Sequence, residues 1–185
     1  TIEAQEVSYD LARRTVALNG LSDRVTLHHG DLRDATVLRP DARFDVITGS
    51  PPYIPEGKGV MSPIPQRAGA RMELRGSVYD YCAAARRWLA PGGLFTFVMT
   101  AQDPRTEDAP VQHDLVVVER WDYVFAAKRV PHITTLVCAR AEDDPPPRRS
   151  GSLVIRGMDG QWTDDYLAFR QQMGSPRTLV EGKPA

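Results

Sequence analysis

The tetrapeptide Ser50-Pro51-Pro52-Tyr53 follows directly on the apolar run Phe44-Asp45-Val46-Ile47-Thr48-Gly49. No other feature limits the fold as strongly. The run reads as a buried strand of a parallel sheet. Two consecutive prolines fix φ and remove two backbone donors, so the strand must stop there. The carbonyls of Ser50 and Pro51 are left without a regular ladder. In open α/β sheets, ligands bind at the carboxyl ends of strands, which is where this tetrapeptide falls. A hydroxyl, two rigid carbonyls and an aromatic ring suit a planar amine such as adenine N6 or a carboxamide nitrogen. Ser50 Oγ and the Pro51 carbonyl would accept its N–H groups and orient a weak nucleophile. The Tyr53 ring would stack on the flat substrate. A rigid strand exit with a packed tyrosine accounts for the same four residues.

The flanking chain alternates strand and helix. Thr1-Ile2-Glu3 resembles the end of a strand, and Ala4 to Asn19 an amphipathic helix with Val7, Leu11, Ala12, Val16 and Leu18 on its apolar face. Asn19-Gly20 stops that helix. Val25 to His29 is a second expected strand, ended by Gly30-Asp31-Leu32. This order predicts a parallel, doubly wound α/β sheet. It sets two acids, Glu3 and Asp31, at successive strand ends. Such acids take a ribose hydroxyl pair or an adenine amine, and helix capping or a solvated turn is the plain alternative for each.

Residues 54–69 carry Pro55, Gly57, Gly59, Pro63 and Pro65 and read as an irregular loop, a substrate lid by position. Arg67, Arg71 and Arg75 recur every four residues, with Lys58 nearby, as a strip for phosphates or as a solvated helix face. Ser77 to Ala90 is an expected helix stopped by Pro91-Gly92-Gly93, and Leu94 to Met99 a central strand. Ala109 to Arg120 is taken as the crossover helix, although Val116-Val117-Val118 favours a strand. Trp121 to Val130 and Ile133 to Arg140 form an expected antiparallel edge hairpin. The expected organisation is a domain over 1–141, a Pro-rich linker over 142–152, and a C-terminal extension over 153–185 packed back through Trp162, Tyr166 and Phe169.

The chain has 185 residues, ample for one core. A net charge of -1 supplies no global basic field for nucleic acid, which leaves only a local patch for that role. Cys82 and Cys138 are isolated, so neither a disulfide framework nor a metal site is expected, and a reducing, cytoplasmic setting fits. No apolar run approaches a membrane span.

Together these segments resemble the class I S-adenosylmethionine-dependent methyltransferases, nearest the methyltransferase-small group that includes tRNA adenine-N6 enzymes. The resemblance rests on Ile2-Glu3-Ala4-Gln5, Leu18-Asn19-Gly20-Leu21 with Asp23-Arg24-Val25, Gly30-Asp31-Leu32, Phe44-Asp45-Val46-Ile47, Pro51-Pro52-Tyr53, Arg71-Met72-Glu73 and Leu89-Ala90-Pro91-Gly92-Gly93. Asp159-Gly160 with Thr163 and Tyr166 extends it into the tail. It implies a Rossmann-like methyltransferase sheet whose first strand, glycine-rich loop and helix would precede Thr1. It implies that Glu3 holds the cofactor ribose, that Asp31 and Leu32 hold its adenine, and that Ser50, Pro51, Pro52 and Tyr53 hold the target amine. Lys58, Arg67 and Arg71 would meet a tRNA substrate. Ser50 stands where the family commonly has Asn. No metal or membrane partner is implied. A glutamine-amide methyltransferase and a non-catalytic module with this fold are the alternatives.

Overall fold

The structure, a computed structural model, describes residues 1–175. Residues 176–185 of the expected C-terminal extension lie outside the described residues. The chain runs β1 (Ile2–Glu3), α1 (Glu6–Leu18), β2 (His28–His29), β3 (Phe44–Gly49), α2 (Pro65–Arg71), α3 (Val78–Trp88), β4 (Leu89–Thr100), α4 (Arg105–Gln112), β5 (Leu115–Val124), β6 (Ile133–Arg140), β7 (Arg149–Val154) and α5 (Asp164–Gln172). β1 and β2 pair in parallel as one small sheet. The other five strands form a mixed sheet in the order β3-β4-β6-β5-β7. β3 lies parallel to β4, β6 antiparallel to both β4 and β5, and β7 parallel to β5. Among the described residues no strand joins β1 to β3.

The core sits between β4 and its neighbours on one side and α3 with α4 on the other. Phe95, Phe97 and Met99 alternate inward along β4, as the strand period requires, and the two phenyl rings stack with centroids 5.1 Å apart. Val78, Cys82 and Ala85 meet them from α3 at helical spacing. Ser77 starts α3 by donating its N–H to Asp80 Oδ2 at 2.7 Å, half of a capping box.

Several expected bounds shift, each for a local reason. α3 ends at Trp88 rather than Ala90, because Leu89 already pairs with Phe44 as the first residue of β4. The second strand shrinks to His28–His29, and residues 25–27 lie outside it. The lid segment is not wholly irregular: Pro65 opens α2, a position where its missing N–H costs nothing. The crossover helix lies earlier than 109–120, at Arg105–Gln112, and the valines belong to β5. β-branched side chains won there. A register shift between Val117 and Glu119 turns both Val117 and Val118 inward. β5 ends at Val124 and not at Val130.

The apolar face of α1 is not buried. Val7, Leu11 and Leu18 are exposed, Leu18 at 88%, and α1 holds no buried residue. Ala12 and Val16 of the same expected face are half-buried. Val46 on β3 is similarly open, since β3 is an edge of the larger sheet.

Arg149–Val154, at the boundary of the expected linker and extension, joins the sheet as β7 beside β5. Gly151 faces Trp121 so closely that an added Cβ would lie 2.4 Å from Cζ3. Glu107 on α4 accepts from Arg120 Nη1 at 2.7 Å and from Arg148 Nη2 at 2.8 Å, tying α4, β5 and the approach to β7 together. Burial pushes the Glu107 carboxyl up, but hydrogen bonds from Arg148 and Arg120 outweigh it and hold the group below the usual carboxylate range.

Candidate active site

Three strand ends converge on one cavity. β1 delivers Glu3, whose Oε1 accepts the Gln5 N–H at 2.7 Å just before α1 begins. This is a turn contact just ahead of the helix, whose N-cap residue is Gln5, and it engages one carboxylate oxygen. β2 delivers Gly30 and Asp31, with the Gly30 N–H bonded to the Glu3 carbonyl at 3.1 Å. Asp31 accepts a fork from Arg33: Nε to Oδ1 at 2.9 Å and Nη2 to Oδ2 at 2.7 Å. Its Oδ1 also accepts the Arg33 N–H at 2.9 Å. The hydrogen bonds from Arg33 hold the Asp31 carboxyl below its ordinary value, against the opposing effect of burial. β3 delivers Ser50 and Pro52. Among the described residues no backbone N–H bonds the carbonyl of Ser50 or Pro51, as expected after two prolines.

The cavity has a volume of about 310 Å³, within the range of small-molecule and cofactor sites. Glu3, Asp31, Leu32, Ser50 and Pro52 line it together, although 47 residues separate Glu3 from Ser50 in the chain. The Pro51 side chain is buried, and Pro51 is not among the lining residues. Tyr53 is half-buried, packs against the hydrophobic core, and is not among the lining residues. Lys58, Arg67 and Arg71 are exposed and also lie outside the wall.

Other wall residues were not legible as such from the sequence. Gly69 and Ala70 come from α2, where the chain reads as loop, and Gln5 comes from the start of α1. Arg75 closes the basic strip of the sequence and is its one member in the wall. Tyr81 sits on α3 between Val78 and Cys82, a spacing that reads as core; the structure turns it partly to the cavity and partly to the core. Burial pushes the Tyr81 hydroxyl up, and the charges of Glu3 and Asp31 add to this. Gly49 makes room for the ring: an added Cβ would lie 2.9 Å from Tyr81 Cδ1 and 3.4 Å from Phe95 Cε2. Gly49→Ala should therefore push that ring toward the cavity and destabilise the fold by about 1 kcal/mol, read as a lowered midpoint in thermal unfolding.

The arrangement supplies acceptors and few cations. Two carboxylates, Glu3 and Asp31, and the hydroxyl-bearing Ser50 line one space, an acceptor set that suits the hydroxyl pair and amine of an adenosine-bearing cofactor. The residues present thus fit the nucleoside part of S-adenosylmethionine. Among the described residues no group of acids, histidines or cysteines is placed to hold a metal ion. No helix of the described residues is long and apolar enough to cross a membrane.

Solved structures place this fold among the methyltransferases. A predicted O-methyltransferase from Agrobacterium tumefaciens superposes with a TM-score of 0.64 at 14% identity, covering 94% of this chain and 76% of its own. A protein from Listeria monocytogenes assigned to the class I S-adenosylmethionine-dependent methyltransferases superposes at 0.56, with 14% identity, over 94% of this chain and 53% of its own. At such identity these likenesses speak for the fold. In sequence, the chain is homologous over most of its length to tRNA1(Val) (adenine(37)-N6)-methyltransferases. The protein of that name from Citrobacter koseri is 29% identical over 179 residues, spanning 92% of this chain and 69% of the relative. A ribosomal protein uL3 glutamine methyltransferase from Burkholderia pseudomallei is 34% identical over 85 residues, which is 40% of this chain and 28% of that protein. No family model matches the chain.

Proposed function

We propose that this chain is the core of an S-adenosylmethionine-dependent N-methyltransferase acting on the exocyclic amine of adenine in tRNA. One observation carries the reading: Ser50 and Pro52, at the end of β3, share a single cavity with Glu3 and Asp31, at the ends of β1 and β2. When bound, the cofactor supplies a methyl group on a cationic sulfonium. The chain's own residues hold and orient. Glu3 keeps one carboxylate oxygen free of the Gln5 N–H and accepts from ribose hydroxyls. Asp31, fixed by Arg33, and the neighbouring Leu32 backbone accept from and pack on the adenine. Ser50 Oγ and the Pro51 carbonyl accept the two N–H groups of the target amine and direct its lone pair at the donor. Pro52 keeps that carbonyl rigid. Tyr53 anchors the tetrapeptide on the core and offers only its outer side to a base. Lys58, Arg67 and Arg71, exposed on the segment that follows the tetrapeptide, meet phosphates. RNA binding and a cytoplasmic setting go with such a substrate.

The partial likeness to a glutamine methyltransferase favours a second reading, in which the same acceptors grip a protein carboxamide. Incubation of the full-length protein with labelled S-adenosylmethionine and either bulk tRNA or ribosomal protein separates the two. Label is expected in adenine of the tRNA digest. Label in protein glutamine alone replaces the first reading with the second, and label in neither overturns both.

A further inference from the structure

The chain between Ile54 and Glu73 leaves the cavity and returns to it. Its two ends meet: the Ile54 N–H bonds the Arg71 carbonyl at 3.1 Å, and the Glu73 N–H bonds the Ile54 carbonyl at 2.9 Å. The near end continues from Ser50-Pro51-Pro52, and α2 at the far end gives Gly69 and Ala70 to the cavity wall. Between these ends 56–61 are all exposed, while α2 is seated by the buried Ala68 and by Gln66 Nε2, which donates to Ser8 Oγ at 3.0 Å. A further tie comes from outside. Glu73 Oε1 accepts Arg105 Nη1 at 2.7 Å. The same guanidinium is held by Asp103, with Nη2 to Oδ2 at 2.6 Å and Nε to Oδ1 at 3.0 Å. The Glu73–Arg105 pair is mostly withdrawn from water, with side chains 10% and 21% exposed. Arg105 is anchored in turn. The next residue, Thr106, is fully buried and donates its hydroxyl to the Thr100 carbonyl at 3.0 Å.

We propose that Arg105 is a positioning residue, which acts through Glu73 to hold the 54–73 loop closed so that Ser50-Pro51-Pro52 and α2 keep their places around the cavity. Arg105 reaches no cavity atom itself; its fork is aimed by Asp103 and leaves one donor for the loop. A partly buried charged pair of this kind, with its donor pre-oriented, is worth more than an exposed ion pair. Its loss should loosen the loop before it loosens the core, because the buried contacts of β4, α3 and α4 do not depend on it.

The test has two arms. Trypsin cuts after Lys58, Arg67 and Arg71, all inside the loop. Glu73→Ala and Arg105→Ala should each speed cleavage there about tenfold, because nicking follows the population of the open loop. The double variant should be nicked no faster than the faster single variant, and Glu73→Gln, which keeps an acceptor, should be protected better than Glu73→Ala. Wild-type cleavage rates in folded variants, or effects that multiply in the double variant, overturn the proposal. If Arg105→Ala does not fold, the pair Glu73→Gln and Glu73→Ala decides: identical cleavage of both at the wild-type rate overturns it. The second arm rests on the methyl-transfer reading. Glu73→Ala should lower kcat on tRNA about tenfold while the calorimetric Kd for S-adenosylmethionine moves less than about twofold. An equal loss in both marks general destabilisation and overturns the positioning role. The cleavage arm needs neither cofactor nor acceptor, so a failed clasp and a failed enzymatic reading give different results.

Discussion

Ser50→Ala is expected to lower turnover about 100-fold in the full-length protein while leaving S-adenosylmethionine affinity within about twofold. Ser50 lines the cavity from the end of β3, whereas Glu3 and Asp31 come from β1 and β2, so in the proposed arrangement its loss falls on the acceptor side. An exocyclic amine becomes a useful nucleophile only as its lone pair leaves conjugation. A fixed oxygen that accepts one of its hydrogens stabilises that change most in the transition state, which is why kcat should fall rather than KM rise. Ser50→Asn, which restores the residue common in the resembled family, should keep activity. Single-turnover methyl transfer with saturating cofactor reads both variants. An Ser50→Ala protein as fast as wild type removes the hydroxyl from the reaction.

Glu3→Ala is expected to weaken S-adenosylmethionine binding by about 10- to 100-fold, the worth of one or two hydrogen bonds to a charged group. The effect should exceed that of Asp31→Asn. Asp31 already gives both of its oxygens to Arg33, whereas Glu3 gives only Oε1, to the Gln5 N–H. Part of the loss in Glu3→Ala will be local, since the same carboxylate accepts the Gln5 N–H just ahead of α1. Glu3→Gln separates the two contributions: it can still accept that N–H, but as a neutral acceptor it holds a hydroxyl pair less well. Calorimetry on the three variants reads the order. Unchanged affinity in Glu3→Ala would move the ribose site elsewhere.

The legible parts of the molecule were those set by local chemistry. Two prolines end β3 wherever the rest of the chain goes, and Asn19-Gly20 ends α1, with Gly20 at φ 63°. The acids at the ends of β1 and β2 were readable because strand ends are marked by short-range signals. What the sequence hid was contact between distant segments. Tyr81 looks like core by its spacing, yet its ring lies between core and cavity, in the room that the missing Cβ of Gly49 leaves. Glu73 stands close in sequence to Arg71 and Arg75, yet it pairs with Arg105, 32 positions on. The valines of β5 show that β-branched side chains outweigh the simple alternation of strand and helix. Tyr53 was ambiguous for another reason: an aromatic beside a strand end can stack on a ligand or pack inward, and the half-buried ring does rest against the core.

The division of the strands into two separate sheets bears on how the protein would respond to its ligand. Glu3 and Asp31 belong to the pair β1–β2, while Ser50 belongs to the five-stranded sheet. A molecule gripped by all three would act as a strut between them, so its occupancy would appear in the cooperativity of unfolding as well as in affinity.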